Sequence, residues 1–214
     1  MTQNDVIVFD LDDTLYKEID FLKSAYREVV TFIGHEDAYN FMLETYYQHG
    51  NPFDAVISKY KLDLTIPELL DVYRKHKPQI VLDKETRETL NYLHAFFHLG
   101  IITDGRSVTQ NNKIEALALC KYINKDNIII SEEFGFAKPS EEGFVYFMKK
   151  YPLSRYIYVA DNQEKDFIAP NKLGWQTICL MDDGRNIHHN NNVVGMEYCA
   201  KCQINNIKDL LTKI

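Results

Sequence analysis

In the stretch VIVFDLDDTLY, the apolar run Val6–Phe9 leads directly into three carboxylates, Asp10, Asp12 and Asp13. Acids crowded at the end of a buried strand are costly unless a positive charge sits among them, because burial and mutual repulsion both favour the neutral form. Three other apolar runs end in similar fashion. LGII is followed by Thr103, Asp104 and Gly105, NIII leads to Gly135, Lys138 and Pro139, and YIYVA leads to Asp161 with Asp166 five residues on. These residue types suit one chemistry. A hard divalent ion bound by oxygens neutralises the acids, and Mg²⁺ commonly shares its site with phosphate. Lys138 and the Thr103 hydroxyl are donors for phosphate oxygens, and a turn at Asp104–Gly105 can add backbone N–H groups. An aspartate can attack phosphorus to form an aspartyl-phosphate. Phosphoryl transfer then depends mainly on positioning and charge neutralisation.

The surrounding elements would bring these residues together. From Leu82 onward, apolar strands alternate with helical patterns: KETRETLNYLHAFFH, SVTQNNKIEALAL and PSEEGFVYFMKKY read as helices, while LGIITDG, NIIISEE, RYIYVADN and WQTICLM read as strands. Ser140 is placed to cap the third of these helices, and a short helix is expected near Pro170. Continuous apolar strands alternating with helices predict an α/β fold, a Rossmann-like parallel sheet covered on both faces. With right-handed crossovers the four polar sets fall on one sheet edge, where such sheets bind ligands. Between the first strand and this block, residues 17–80 show only helical patterning. EIDFLKSAYREVVTFI carries Ile19, Leu22, Tyr26, Val29, Val30 and Ile33 on one stripe. DAYNFMLETYYQ, FDAVISKY and PELLDVYRKH are three further helices, broken by HGNP and opened at Pro67. The expected organisation is a catalytic core of residues 1–16 and 81–214 with a small all-helical cap insert at 17–80.

FDLDDTL, ITDG, GFAKP and VADNQEKD, in this order, resemble the four motifs of the haloacid dehalogenase (HAD) superfamily. The resemblance spans the whole chain and implies specific roles. Asp10 would be the nucleophile, and Asp12 the acid that protonates the leaving oxygen and then the base that activates water. A group with both tasks needs a pKa near working pH, which neighbouring acids can provide. Thr103 and Lys138 would hold the phosphoryl group. Mg²⁺ would be held by the Asp10 side chain, the Asp12 backbone carbonyl and Asp161, with Asp166 orienting Lys138 or a metal-bound water. An acid at position 12 matches the phosphatases of the superfamily rather than its dehalogenases. The helical insert is similar to caps that close over small substrates in the pyrimidine-5'-nucleotidase and phosphoglycolate-phosphatase types, and closure would exclude water. Two positions depart from the usual pattern: Asp104 stands where many relatives carry Asn, and Ala160 where Gly is usual.

The remaining features set limits. A formal net charge of -7 argues against a nucleic-acid partner, which calls for a basic face. No apolar run approaches the roughly 18 residues that span a bilayer, and MTQNDVIVFD lacks the form of a signal peptide. A cytoplasmic location is expected, with Cys120, Cys179, Cys199 and Cys202 reduced. CAKC, near His188 and His189, is weak as a zinc signature, and GMEYCAKCQI reads better as a short strand before a last helix, NIKDLLTKI. His94 and His98 fall one turn apart on a helix, and the polar GRNIHHNNN reads as a surface loop. The expected function is Mg²⁺-dependent hydrolysis of a small phosphorylated metabolite, a nucleoside monophosphate or sugar phosphate, by a monomer or homodimer. The alternatives are a phosphomutase and a receiver-like phosphorylation switch or binding protein.

Overall fold

The computed structural model describes residues 5–188 and 195–214. The chain begins with strand β1 (Val6–Phe9) and four helices follow: α1 (Glu18–Ile33), α2 (Ala38–Tyr47), α3 (Pro52–Tyr60) and α4 (Ile66–Lys75). The chain then alternates through α5 (Lys84–His94), β2 (His98–Thr103), α6 (Ser107–Ala116), β3 (Ile128–Ile130), α7 (Ser131–Phe134), α8 (Glu142–Lys150), β4 (Tyr156–Ala160), α9 (Ile168–Lys172), β5 (Gln176–Leu180) and β6 (Cys202–Ile204). All the strand pairings are parallel, in the order β3-β2-β1-β4-β5-β6. This is the Rossmann-like α/β sheet expected from the pattern. β1 lies at the centre, and the chain builds outward from it first on one side and then on the other. The carboxyl end of β1, flanked by β2 and β4, is therefore the topological switch point.

Alternation along the strands divides the core in two. Ile7, Phe9, Ile101, Ile157, Val159 and Ile178 face one layer, filled by Leu90, Leu93 and Ile114. Val6, Val8, Ile102, Tyr158 and Ala160 face the other, against Phe144, Phe147 and Trp175. Gly100 is fixed by this second layer, since a Cβ there would lie 2.4 Å from the Phe147 ring.

The helices between β1 and α5 form a third cluster, with Ile19, Leu22, Tyr26, Val29 and Val30 of α1 packed on Met42, Val56 and Leu69. α1 has a second buried side. Phe21 and Ala25 join the sheet-side core, so this helix is anchored both to its neighbours and to the sheet. The local signals act as expected. Asn51 accepts from the Phe53 and Asp54 N–H groups at 3.1 and 3.3 Å to open α3, and Pro67 sits in the first turn of α4.

Several expectations differ in detail. α5 ends at His94, and His98 opens β2, where its N–H bonds the Asp5 carbonyl at 3.0 Å. Pairing with the central strand outweighs the helical periodicity that ran through FFH, so His94 and His98 do not share a helix face. NIIISEE stops being a strand at Ile130, because Glu132 and Glu133 turn to bond Ser107 on α6. α8 starts at Glu142 with Glu141 at the cap position, while the Ser140 hydroxyl bonds the Glu142 carboxylate instead of a helix N–H. NIKDLLTKI forms a 3₁₀ helix over Ile207–Thr212, and in GMEYCAKCQI only Cys202–Ile204 is strand, preceded by a 3₁₀ turn at Met196–Tyr198. His189 and the end of GRNIHHNNN lie outside the described residues, but Asn186 in that segment is buried, not on the surface. Among the described residues, no helix is long and apolar enough to cross a membrane.

Candidate active site

Register brings the site together. Phe9 pairs with Ile101 on β2 and with Val159 on β4, so Asp10 and Asp161, just beyond β1 and β4, and Thr103, the last residue of β2, come together at the carboxyl edge of the sheet. All three are buried. Lys138 comes from the loop before α8, and its ammonium lies 2.5 Å from Asp10 Oδ1 and 2.6 Å from Asp166 Oδ1. It also donates to the Tyr158 hydroxyl at 3.1 Å. Burial disfavours the charged ammonium, but Asp10 and Asp166 outweigh that and hold the Lys138 pKa well above its ordinary value. Asp166, 0 % exposed, is fixed on its other oxygen by the Asn162 N–H at 3.1 Å.

The acids respond unequally to this crowding. Burial, offset by Lys138 and reinforced by Asp166, pushes the Asp10 carboxyl up to about 7. Burial, with Asp10 and Asp166 nearby, pushes Asp161 up to about 8. Asp161 accepts from the Thr14 hydroxyl at 3.3 Å and from Asn186 Nδ2 at 3.0 Å, both neutral donors. Asp12 goes the other way. Burial alone would raise its pKa, but Lys113 at 2.7 Å and hydrogen bonds from Tyr16 and Gln110 bring it below the ordinary carboxylate value. The expectation that neighbouring acids raise Asp12 is therefore corrected: in this arrangement its cation and donors prevail over them.

Asp13 plays a structural part. Its carboxylate accepts from the Glu18 N–H at 2.9 Å and the Ile187 N–H at 2.8 Å, joining the start of α1 to the segment that carries Asn186. Asp104 uses its side chain, accepting from the Lys138 N–H at 3.1 Å and pairing with Lys165 at 3.2 Å. That is what an acid at this position adds. Gly105 donates its N–H to Ser131 Oγ at 3.0 Å, so in this geometry that group is already committed. Its φ of +150° suits glycine, and a Cβ would press on the Gln110 side chain at 3.0 Å.

These residues surround a cavity of about 140 Å³ lined by Asp10, Asp12, Thr103, Asp161, Lys165 and, from α1, Glu18. Asp10, Asp161 and Asp166 each offer a carboxylate oxygen within 4.8 Å of the other two. The donors are all oxygens and all buried, and two of the acids are raised by charge and burial. This set fits a hard divalent cation. The sequence reading missed Lys165, Gln110, Lys113, Glu18, Tyr158 and Asn186. Lys165 lies within VADNQEKD, and Gln110 and Lys113 are polar residues three apart on the buried face of α6, a pattern that could have marked them. Nothing in the sequence marked Asn186, which arrives from a distant loop.

Residues 7–180 match the family described as haloacid dehalogenase-like hydrolase. The chain is 32% identical over 193 residues to a glyceraldehyde 3-phosphate phosphatase of Methanocaldococcus jannaschii, covering 82% of this chain and 84% of that one. It is 34% identical over 103 residues to the pyrimidine 5'-nucleotidase YjjG of Escherichia coli, covering 47% and 43% of the two chains. Among solved structures, the fold is similar to the HAD-hydrolase YfnB of Bacillus subtilis bound to magnesium, at a TM-score of 0.73 and 18% identity over 99% of both chains.

Proposed function

The chain belongs to the haloacid dehalogenase-like hydrolases, and from that premise we propose that it hydrolyses a small phosphorylated metabolite, with Mg²⁺ as cofactor, through an aspartyl-phosphate on Asp10. The observation that carries this reading is the placement of a buried Asp10 carboxylate against Lys138 at 2.5 Å, in the same small cavity as Thr103 and Asp161. Asp10 lies on the wall of this cavity with the Lys138 ammonium beside it, and the cavity has room for little else.

In this reading the phosphoryl group lies between Asp10 and the pair Thr103 and Lys138. Lys138 holds the Asp10 carboxylate in line and offsets the charge on the transferring oxygens. Asp166 keeps Lys138 aimed. Asp10, Asp161 and the Asp12 carbonyl would hold Mg²⁺, which would neutralise phosphoryl charge and fix the phosphate's orientation. Asp12 serves first as acid and then as base. The arrival of a phosphate dianion beside it raises its pKa from the depressed resting value and prepares it to give a proton. The insert of residues 17–80 acts as a cap, with Glu18 as its nearest contribution to the cavity.

The cavity is well below the ~300–1,000 Å³ of typical ligand pockets, which favours short substrates. Sugar phosphates of triose size fit that preference better than nucleotides, in keeping with the substrate in the name of the Methanocaldococcus jannaschii relative. The free thiols of Cys120, Cys179, Cys199 and Cys202 suit a reducing, cytoplasmic setting.

The test is hydrolysis of p-nitrophenyl phosphate, triose phosphates and nucleoside monophosphates by purified protein with Mg²⁺. Turnover is expected for the aryl and triose esters. Inactivity toward every phosphate ester would remove the proposal.

A further inference from the structure

Helix α6 carries two buried polar side chains, Gln110 and Lys113, that the steps above leave without a task. Polar groups this deep persist where their bonds are made, and both converge on one carboxylate. Lys113 Nζ lies 2.7 Å from Asp12 Oδ1 and 3.7 Å from Glu18 Oε1, with the centroid of the Phe21 ring 4.5 Å away. Gln110 Nε2 donates to Asp12 Oδ2 at 2.9 Å and to Thr103 Oγ1 at 2.6 Å. The Tyr16 hydroxyl donates to Asp12 Oδ1. Both Asp12 oxygens are thus held, and one amide joins the carboxylate to the hydroxyl that would seat the phosphoryl group. Glu18 and Phe21 belong to α1, so Lys113 also connects this carboxylate to the helical insert.

We infer that Gln110 and Lys113 are positioning residues that aim the Asp12 carboxyl at the ester oxygen of a phosphoryl group seated on Thr103, with Lys113 tying that aim to the insert through Glu18 and Phe21. The inference rests on the phosphatase reading above. In the step concerned, the bond from Asp10 oxygen to phosphorus forms as the bond from phosphorus to the ester oxygen breaks. The ester oxygen takes its proton from Asp12 and leaves as an alcohol. Water then attacks phosphorus, Asp12 accepts its proton, and Asp10 and inorganic phosphate are released. The new negative charge on Asp12 forms beside the Lys113 ammonium, which already lies 2.7 Å from Oδ1.

An alkyl ester needs that proton, because an alkoxide leaves poorly. p-Nitrophenolate leaves without one. Loss of aim therefore slows the two substrates unequally, which a structural defect would not do. General acid catalysis contributes about 10²–10⁴-fold. The experiment is rapid-quench measurement of the first turnover with glycerol phosphate and with p-nitrophenyl phosphate, for wild type, Lys113→Met, Lys113→Arg and Gln110→Leu. The expected result for Lys113→Met and Gln110→Leu is a loss of roughly 100-fold on the alkyl ester and less than about fivefold in the p-nitrophenolate burst, with Lys113→Arg recovering part of the alkyl rate. Should Lys113→Met fail to fold, Gln110→Leu carries the same comparison. Equal losses on both esters, or no loss on either, would overturn the inference while leaving the phosphatase reading intact. A wild type inactive on both esters would remove that reading and this inference together.

Discussion

Removing the charge of Asp161 should stabilise the metal-free protein, and increasingly so as pH rises. Asp161 is buried among acids and its pKa is raised from 3.8 to about 8. A carboxyl whose folded value lies above its unfolded one stabilises the fold fully below the unfolded pKa, near 4, and loses that contribution as pH rises through the folded pKa. At pH 8 the shift corresponds to about four units at ~1.4 kcal/mol each, on the order of 5 kcal/mol of metal-free stability. At pH 5 only about one unit is in play. In a chain of this size 1 kcal/mol moves the melting temperature by ~2–4 °C, so Asp161→Asn should melt on the order of 10 °C higher than wild type at pH 8 in chelator. The two should come within a few degrees of each other at pH 5. Mg²⁺ should close much of that gap at pH 8. At 100 times its dissociation constant a ligand adds ~2.7 kcal/mol to the folded state, or ~5–10 °C for wild type, and far less for the variant. Differential scanning calorimetry at pH 5, 6, 7 and 8, in chelator and in Mg²⁺, reads all of this. The reasoning is refuted if Asp161→Asn destabilises the metal-free protein equally at pH 5 and pH 8, or if Mg²⁺ raises both melting temperatures alike.

Lys138→Met leaves Asp10 and Asp166 buried without their shared cation. It should lose about 3–5 kcal/mol in urea unfolding at neutral pH and show no measurable turnover. Asn186→Ala removes a donor from Asp161 and an acceptor 2.7 Å from Lys17. Titration calorimetry should find Mg²⁺ binding about 10–100-fold weaker, as for other residues that orient metal-bound carboxylates. Gly100→Ala forces a Cβ against Phe147 and should lose about 1–3 kcal/mol of stability, while a saturated rate per folded molecule stays near wild type.

The central architecture could be read from the sequence because β1, β3 and β4 are short unbroken apolar runs followed by polar residues. Parallel pairing then stacks those run ends at one edge, which places Asp10, Thr103 and Asp161 together without knowledge of any loop. The stripe on α1 was legible for a similar reason, since a 3.6-residue period survives in a helix whose burial is one-sided. Its second buried side, at Phe21 and Ala25, was not, because those residues only acquire meaning once the sheet lies beneath them. The boundary at His94 was misplaced because FFH continues the helical period, and only the bond from His98 to the neighbouring strand segment ends it. The depressed pKa of Asp12 depends on Lys113, 101 residues away, and the partner of Asp161 on a loop 25 residues on. Such contacts are set by tertiary packing and leave no local period or spacing in the chain.

The most direct test of Asp10 as nucleophile is to quench the protein during turnover of a phosphate ester with Mg²⁺ and reduce it with borohydride, which converts an aspartyl-phosphate to homoserine. Peptide mass spectrometry should find homoserine at position 10 in wild type and an unmodified peptide in Asp10→Asn, which should also release no phosphate. Steady turnover with residue 10 unmodified, and phosphate release by Asp10→Asn at the wild-type rate, would contradict the account.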